Sequence, residues 1–394
     1  MTATWTSSPS HAPERPLRIA LVVPGGVDES GDHRVIPVLL ALIERLARRH
    51  HVHVFALRQY DEPCDYRLLG ARVSNLGRPR RLTALPGRTL WWRYRALASA
   101  LSAERFDVVH AFWANEPGTL SVVAADRFEI PTVVSLAGGE LVWLPEIDYG
   151  GWRSRRQRWL IRIALRRAMV LTCASSPIAQ LSAVVGRTPQ RVPLGVPLPP
   201  EAERAAHTAG PPRLLFVGSL NRVKDPFTLM QAIRRVVDAE PETRLDVVGG
   251  DTLGGEVQRR AVALGLGAHV RFHGFVPSND LAPFYRAAQL LVVTSRHEAG
   301  PVVALEAAGW GVPTVGTHVG HLADGAGDWA QTAPVGDAAA LAEAVIALSR
   351  DPERRARMGA AARAWARAND ADTTVARFEA IYRALVGRSD AGGA

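Results

Sequence analysis

Four side chains in the second half of the chain stand at spacings suited to a charged, hydroxylated ligand. Arg222 and Lys224 lie two residues apart in the loop Gly218-Ser219-Leu220-Asn221-Arg222-Val223-Lys224-Asp225-Pro226. Pro226 suits the first position of a helix, and two cations beside a helix N-terminus can neutralise a diphosphate leaving group. Gly218 allows close backbone approach. Lys224 is also the single lysine of the chain, every other permanent cation being arginine. A compact ammonium and a planar guanidinium are not interchangeable where phosphate binds. The plainer alternative is an ordinary solvated surface loop.

A second loop reads Ser295-Arg296-His297-Glu298-Ala299-Gly300-Pro301-Val302, and Glu306 follows one to two turns into an otherwise apolar helix. An acid on such a helix needs a partner. Sugar and ribose hydroxyls would donate to both carboxylates; a paired structural glutamate is the alternative. Hydrolytic carboxylate pairs stand about 5–9.5 Å apart, whereas the helix from Pro301 to Glu306 alone rises about 7.5 Å. The spacing suits two ends of one extended ligand.

Short apolar runs separated by helical stretches must position these loops. Strands are expected at 17–23, 52–57, 108–111, 132–136 and 170–174, and a second set at 213–217, 244–248, 270–273, 290–294 and 314–316. Fully apolar strands between helices imply parallel sheets covered on both faces, whose ligands sit beyond the carboxyl ends of the strands. The expected organisation is a disordered N-terminus at 1–16, a first doubly wound α/β domain at 17–192, a linker at 193–212 and a second such domain at 213–370. A C-terminal helix at 371–388 folds back across the linker toward the first domain, and 389–394 form a disordered tail.

At 394 residues the chain is long enough for two domains. Cys64 and Cys173 have no partners at metal-ligand spacing, which argues against a disulfide framework or a zinc site and fits a reducing cytoplasm. No apolar leader or membrane-spanning run is apparent. The net charge of +9 is uneven: residues 1–199 carry 26 arginines against 16 acids, whereas residues 200–394 carry 21 Lys and Arg against 22 acids. The first half is therefore a candidate for meeting an anionic partner. Arg78, Arg80, Arg81, Arg88, Arg93 and Arg95 are interleaved with Trp91, Trp92 and Tyr94, and 152–167 repeat the mixture. This suits peripheral contact with an anionic membrane, such as the inner face of the plasma membrane. An amphipathic helix with its aromatics in the core is the alternative. No recognisable nucleic-acid module accompanies the basic residues.

Taken together, Phe216-Val217-Gly218-Ser219-Leu220, Arg222, Lys224, Phe272-His273-Gly274-Phe275-Val276 and Glu298-x7-Glu306 with Ala307 to Pro313 make the chain resemble a retaining glycosyltransferase of family 4. The resemblance spans about residues 17–386 and implies the GT-B architecture of two facing Rossmann-like domains. It implies that Arg222 and Lys224 neutralise the donor diphosphate, Glu298 touches the donor sugar, Glu306 binds the ribose, and Phe275 and Val276 meet the base. Ser219, Ala299, Gly300, Pro301 and Val302 would complete the donor site, and Gly25 and Gly26 resemble the family's glycine-rich loop. Gly138, Gly139 and Glu140 lie where many members have His-Gly-x-Asp; Ala137 stands in place of the histidine. His110 and Glu140 are acceptor-side or catalytic candidates, although a histidine at a strand end is more often structural.

The implied reaction is transfer of a hexose-like sugar from a nucleoside diphosphate, foremost a UDP-sugar, to an acceptor hydroxyl with retention. The acceptor would be a small molecule, a glycan or a lipid-linked group. No cofactor or metal is expected, since Asp370-Ala371-Asp372 falls between predicted helices. A GT-B epimerase or phosphorylase and a non-catalytic sugar-nucleotide binder are the rival readings.

Overall fold

The computed structural model describes residues 15–77, 86–201 and 210–392. Its first sheet comprises β1 (Arg18–Val23), β2 (His51–Ala56), β3 (Cys64–Leu68), β4 (Ala71–Asn75), β5 (Val108–Phe112), β6 (Thr132–Leu136), β7 (Val170–Cys173) and β8 (Gln190–Arg191). The strand order is β3-β4-β2-β1-β5-β6-β7-β8. The second sheet comprises β9 (Arg213–Val217), β10 (Arg244–Val248), β11 (Val270–Gly274), β12 (Leu290–Val293), β13 (Thr314–Thr317) and β14 (Ala330–Ala333), in the order β11-β10-β9-β12-β13-β14. All pairings are parallel except β3 with β4.

Both sheets are covered on both faces, as their apolar strands require. Along β1, Ala20 and Val22 enter one core cluster and Ile19, Leu21 and Val23 the other, the two-residue alternation of a strand. In β9, Leu214 and Phe216 face one cluster and Leu215 the opposite one. The result is two α/β domains, each built on a largely parallel sheet covered by helices.

The structure adds strands where the sequence shows no apolar run. In β3 only Leu68 is fully buried, so this edge hairpin carries a weak hydrophobic signal. Its two-residue turn, Leu69-Gly70, has positive φ at both positions, as tight hairpins require. The two-residue β8 is too short to leave a pattern.

The chain crosses between the halves twice, and the crossings pack on each other. Gly195 N donates to Thr374 Oγ1 at 2.9 Å, Thr374 Oγ1 donates to Pro193 O at 2.8 Å, and Ala371 N donates to Val196 O at 3.1 Å. A Cβ on Gly195 would lie 2.2 Å from the Asp370 carbonyl carbon, so only glycine fits. The C-terminal helix Ala371–Gly392 then lies on the first sheet, burying Val375, Phe378, Tyr382 and Leu385 beside Leu39, Ile43 and Val108. It runs through most of the expected 389–394 tail; 393–394 lie outside the described residues, as do 1–14 of the expected disordered N-terminus and 202–209 of the linker.

Candidate functional site

The two charged loops meet beyond the carboxyl ends of β9 and β12. Asn221 Oδ1 accepts from the backbone N–H groups of Val223 and Lys224, both at 3.0 Å, and so folds the first loop locally. Asp225 caps the helix Pro226–Ala239, accepting from Thr228 N at 3.3 Å. The loops are joined by Thr294 Oγ1 donating to Lys224 O at 2.7 Å and Arg296 N donating to Val223 O at 2.7 Å. Arg296 Nε also pairs with Asp225 at 3.0 Å.

This scaffold sets Lys224 Nζ 2.5 Å from Glu298 Oε1, which also accepts from Ser295 Oγ at 2.6 Å. The lysine stem passes Gly218, where a Cβ would stand 3.6 Å from Lys224 Cε. Burial pushes the Glu298 carboxyl up, but the Lys224 charge and the two hydrogen bonds outweigh it and hold it below its ordinary value. Glu298 is therefore an anion at neutral pH. Arg222 and Ser219 are exposed on the same loop. Arg222 makes no side-chain hydrogen bond or ion pair with any described residue, so the loop presents one engaged and one unengaged cation.

Ala299, Gly300, Pro301 and Val302 lead into the helix Val302–Trp310. Ala299 O accepts from Ser175 Oγ at 2.7 Å, and Gly300 is wedged between Ala174 and His321. Farther along this helix, Glu306 Oε2 accepts from Tyr285 OH at 2.5 Å. Burial raises its pKa above the ordinary value despite that hydrogen bond. Glu306 and Tyr285 line a cavity of about 400 Å³ with Ser278, Leu281, Trp310 and Gly31. Glu298 and Glu306 thus have separate surroundings. Phe275 is 60 % exposed, with its ring centroid 5.9 Å from that of His33 in the first half, and Val276 packs against the second core.

The facing wall comes from the first sheet. Gly25 and Gly26 follow β1, and Gly26 N donates to Gln59 Oε1 at 2.7 Å. Gly26 has φ +81°, and a Cβ there would fall 2.5 Å from Ile36 Cδ1, so both backbone and space demand glycine. After β6, Gly138 and Gly139 form a loop shaped by Glu140. The Glu140 carboxylate accepts from Ala114 N at 3.2 Å, Ala137 N at 3.1 Å and Gly138 N at 2.7 Å. Only 3 % exposed, Glu140 organises the loop through these backbone hydrogen bonds. Burial raises its pKa against these backbone hydrogen bonds.

His110 lies in the core of the first domain. It is fully buried, with Nδ1 2.6 Å from Tyr382 OH and Nε2 2.8 Å from Ser135 Oγ. Burial lowers its pKa to about 3. It ties the C-terminal helix to the first sheet, and it sits in the core because it is the middle residue of β5, buried with its neighbours on both sides.

Several residues that line the site carry no motif signal. His297, beside Glu298, has Nε2 3.3 Å from Gly138 O across the cleft, and burial keeps it below its ordinary pKa. Tyr149 lies 6.2 Å from His297, ring to ring, and burial with the nearby Glu298 and Glu140 raises its pKa to about 12. Gln59 and Tyr285 hold the glycine loop and Glu306. Tertiary contact alone brings these side chains to the cleft; adjacency to Glu298 was the only available clue, and only for His297.

The basic first half divides. Trp92, Tyr94 and Trp152 pack against the core, whereas Trp91 and Trp159 are 59 % and 61 % exposed. Arg78, Arg80 and Arg81 lie outside the described residues. No helix among the described residues is long and apolar enough to cross a membrane. Asp370 and Asp372 are engaged with Thr373 N and Arg45.

A family model described as Glycosyl transferases group 1 matches residues 200–365, and one described as Glycosyl transferase 4-like domain matches residues 35–195. D-inositol 3-phosphate glycosyltransferase 1 of Catenulispora acidiphila is 33 % identical over 309 residues, 71 % of this chain and 73 % of that protein. The D-inositol 3-phosphate glycosyltransferase of Thermomonospora curvata is 35 % identical over 196 residues, 46 % of each chain. Sucrose-phosphate synthase from Thermosynechococcus elongatus has a similar fold, with a TM-score of 0.76 at 20 % identity, covering 94 % of this chain and 100 % of that one. Anabaena HepE, solved with UDP and glucose, gives 0.69 at 16 % identity over 93 % of this chain and 100 % of that one.

Proposed function

This chain belongs to the glycosyl transferases group 1 family, family 4 of the GT-B enzymes, and on that premise we propose that it moves a sugar from a nucleoside diphosphate to an acceptor hydroxyl with retention of anomeric configuration. A UDP-sugar is the donor we favour. The observation that carries the reading is the Lys224–Glu298 contact beside the unengaged Arg222. We assign 213–370 to the donor and 17–192 to the acceptor. Arg222 and Lys224 neutralise the departing diphosphate without a metal. Glu298 takes sugar hydroxyls, Glu306 the ribose, and the backbone at Phe275 and Val276 the base. Gly25, Gly26, Gly138 and Gly139 close the opposite wall, and closure about the crossings excludes water.

In this reading the protein works in the cytoplasm. Exposed Trp91 and Trp159 among arginines support a peripheral contact with anionic membrane. A thermal-shift screen of nucleotide sugars followed by product analysis tests the function. Stabilisation by UDP and acceptor-dependent transfer, with the anomer read by NMR and the rate unchanged in chelator, is expected. Reaction without acceptor would instead favour an epimerase, and binding without turnover a sugar-nucleotide binder.

A further inference from the structure

Residues 137–139 are Ala-Gly-Gly, so the loop after β6 offers the cleft backbone groups and no polar side chain. Its shape is fixed from three sides. Glu140 takes the N–H groups of Ala137 and Gly138. A Cβ on Gly138 would fall 2.7 Å from Trp113 Nε1, and one on Gly139 would fall 2.5 Å from the Tyr149 hydroxyl. The Gly138 carbonyl is thereby a fixed acceptor, and His297 Nε2 meets it from the second domain at 3.3 Å.

A carbonyl oxygen can only accept. It selects the tautomer that carries the proton on Nε2 and leaves a lone pair on Nδ1. Nδ1 has no hydrogen-bond partner among the described residues and is not sealed from solvent, so that lone pair stands open at the cleft. Burial of the ring outweighs the charge of the neighbouring Glu298 and keeps the imidazole neutral at pH 7. Glu298, an anion, is likewise an acceptor. The cations nearby are already engaged, Lys224 with Glu298 and Arg296 with Asp225. A ligand group placed beside His297 and Glu298 must therefore bring hydrogens to donate.

We propose that His297 is a specificity-determining contact for the transferred sugar: its Nδ1, with Glu298, takes hydroxyl hydrogens, so the site selects a neutral hydroxylated sugar and rejects a uronate. A uronate carboxylate would face a lone pair and an anion with nothing to donate. Glu140 and Tyr149 are positioning residues in this arrangement, because they aim the carbonyl that sets the tautomer. The inference rests on the transferase reading above and narrows its donor.

Calorimetry compares UDP, UDP-glucose, UDP-galactose, UDP-N-acetylglucosamine and UDP-glucuronate on the wild type, His297→Ala and His297→Lys. His297→Ala gives up a single hydrogen bond, and its melting checks that it folds. In the wild type the best neutral donor should bind about tenfold more tightly than UDP-glucuronate. His297→Ala should narrow that gap to about threefold or less by weakening the neutral donors, while UDP, which carries no sugar, binds as before. His297→Lys puts a donor where the acceptor stood and should turn the preference toward the uronate. UDP-glucuronate binding as tightly as the best neutral donor in the wild type, or an unchanged gap in folded His297→Ala, overturns the proposal, and intact UDP binding then leaves the transferase reading standing. If UDP does not bind at all, that reading falls and this inference falls with it.

Discussion

Replacing Lys224 with alanine separates its charge from its packing. In the wild type its Nζ lies 2.5 Å from Glu298 Oε1, with side-chain exposures of 26 % and 14 %. At an effective dielectric of about 20 the gross attraction at that distance is about 6–7 kcal/mol, much of it offset by desolvation of the two ions. Breaking a fully buried pair costs about 3–5 kcal/mol. Water reaches both partners here, and Ser295 still donates to Glu298, so about 2 kcal/mol is expected at pH 7. That corresponds to a drop of about 4–8 °C in the melting of the second domain. Turnover should fall about 10²–10³-fold as the diphosphate loses its ammonium.

The pH dependence identifies the cause. Wild-type Glu298 titrates below its ordinary value of 4.5, so its contribution is present above that value and lost as pH falls through the folded one. Without Lys224, burial carries the carboxyl above its ordinary value, and the penalty is relieved as pH falls. The melting difference between wild type and variant should therefore narrow from pH 7 toward about pH 4. Adding Glu298→Gln to Lys224→Ala should recover much of the stability at pH 7 but none of the turnover. A single variant that melts within about 1 °C of wild type, with the double variant no different, would refute the coupled-pair reasoning.

Tyr285→Phe removes the hydroxyl that donates to Glu306, so that carboxyl should titrate still higher and UDP bind about tenfold more weakly by calorimetry. Unchanged affinity would remove Glu306 from the ribose. His110→Phe leaves Tyr382 and Ser135 without their histidine partner and should cost about 1–3 kcal/mol in denaturant unfolding with kcat nearly intact. A hundredfold loss of kcat in folded protein would restore His110 to the chemistry. Gly26→Ala forces a side chain into φ +81° against Ile36, and should cost more than about 1 kcal/mol and slow transfer while UDP affinity holds; equal melting would show that the loop yields.

Much of the second-domain wall of the candidate site was legible in the sequence because it is local. The Arg222–Lys224 loop follows one strand and precedes a proline-started helix, and Glu298 and Glu306 flank another. Proline position, apolar strand length and charge spacing survive as patterns over a dozen residues. The parallel, two-faced sheets were legible for the same reason, since strands buried on both sides must be apolar throughout. The polar edge hairpin β3–β4, buried on one face at most, escaped.

The opposite wall depended on contacts between distant segments. His110 and Glu140 looked like reacting groups at strand ends, and only packing shows one beneath the C-terminal helix at Tyr382 and the other saturated by backbone amides. The same holds for Gln59 and Tyr285. The sequence by itself determined which loops could carry charge and where helices would begin, because capping and periodicity act over neighbouring residues. Only the tertiary structure decided which side chains are exposed, paired or left wanting a partner, because burial and pairing are properties of segments brought together across hundreds of residues.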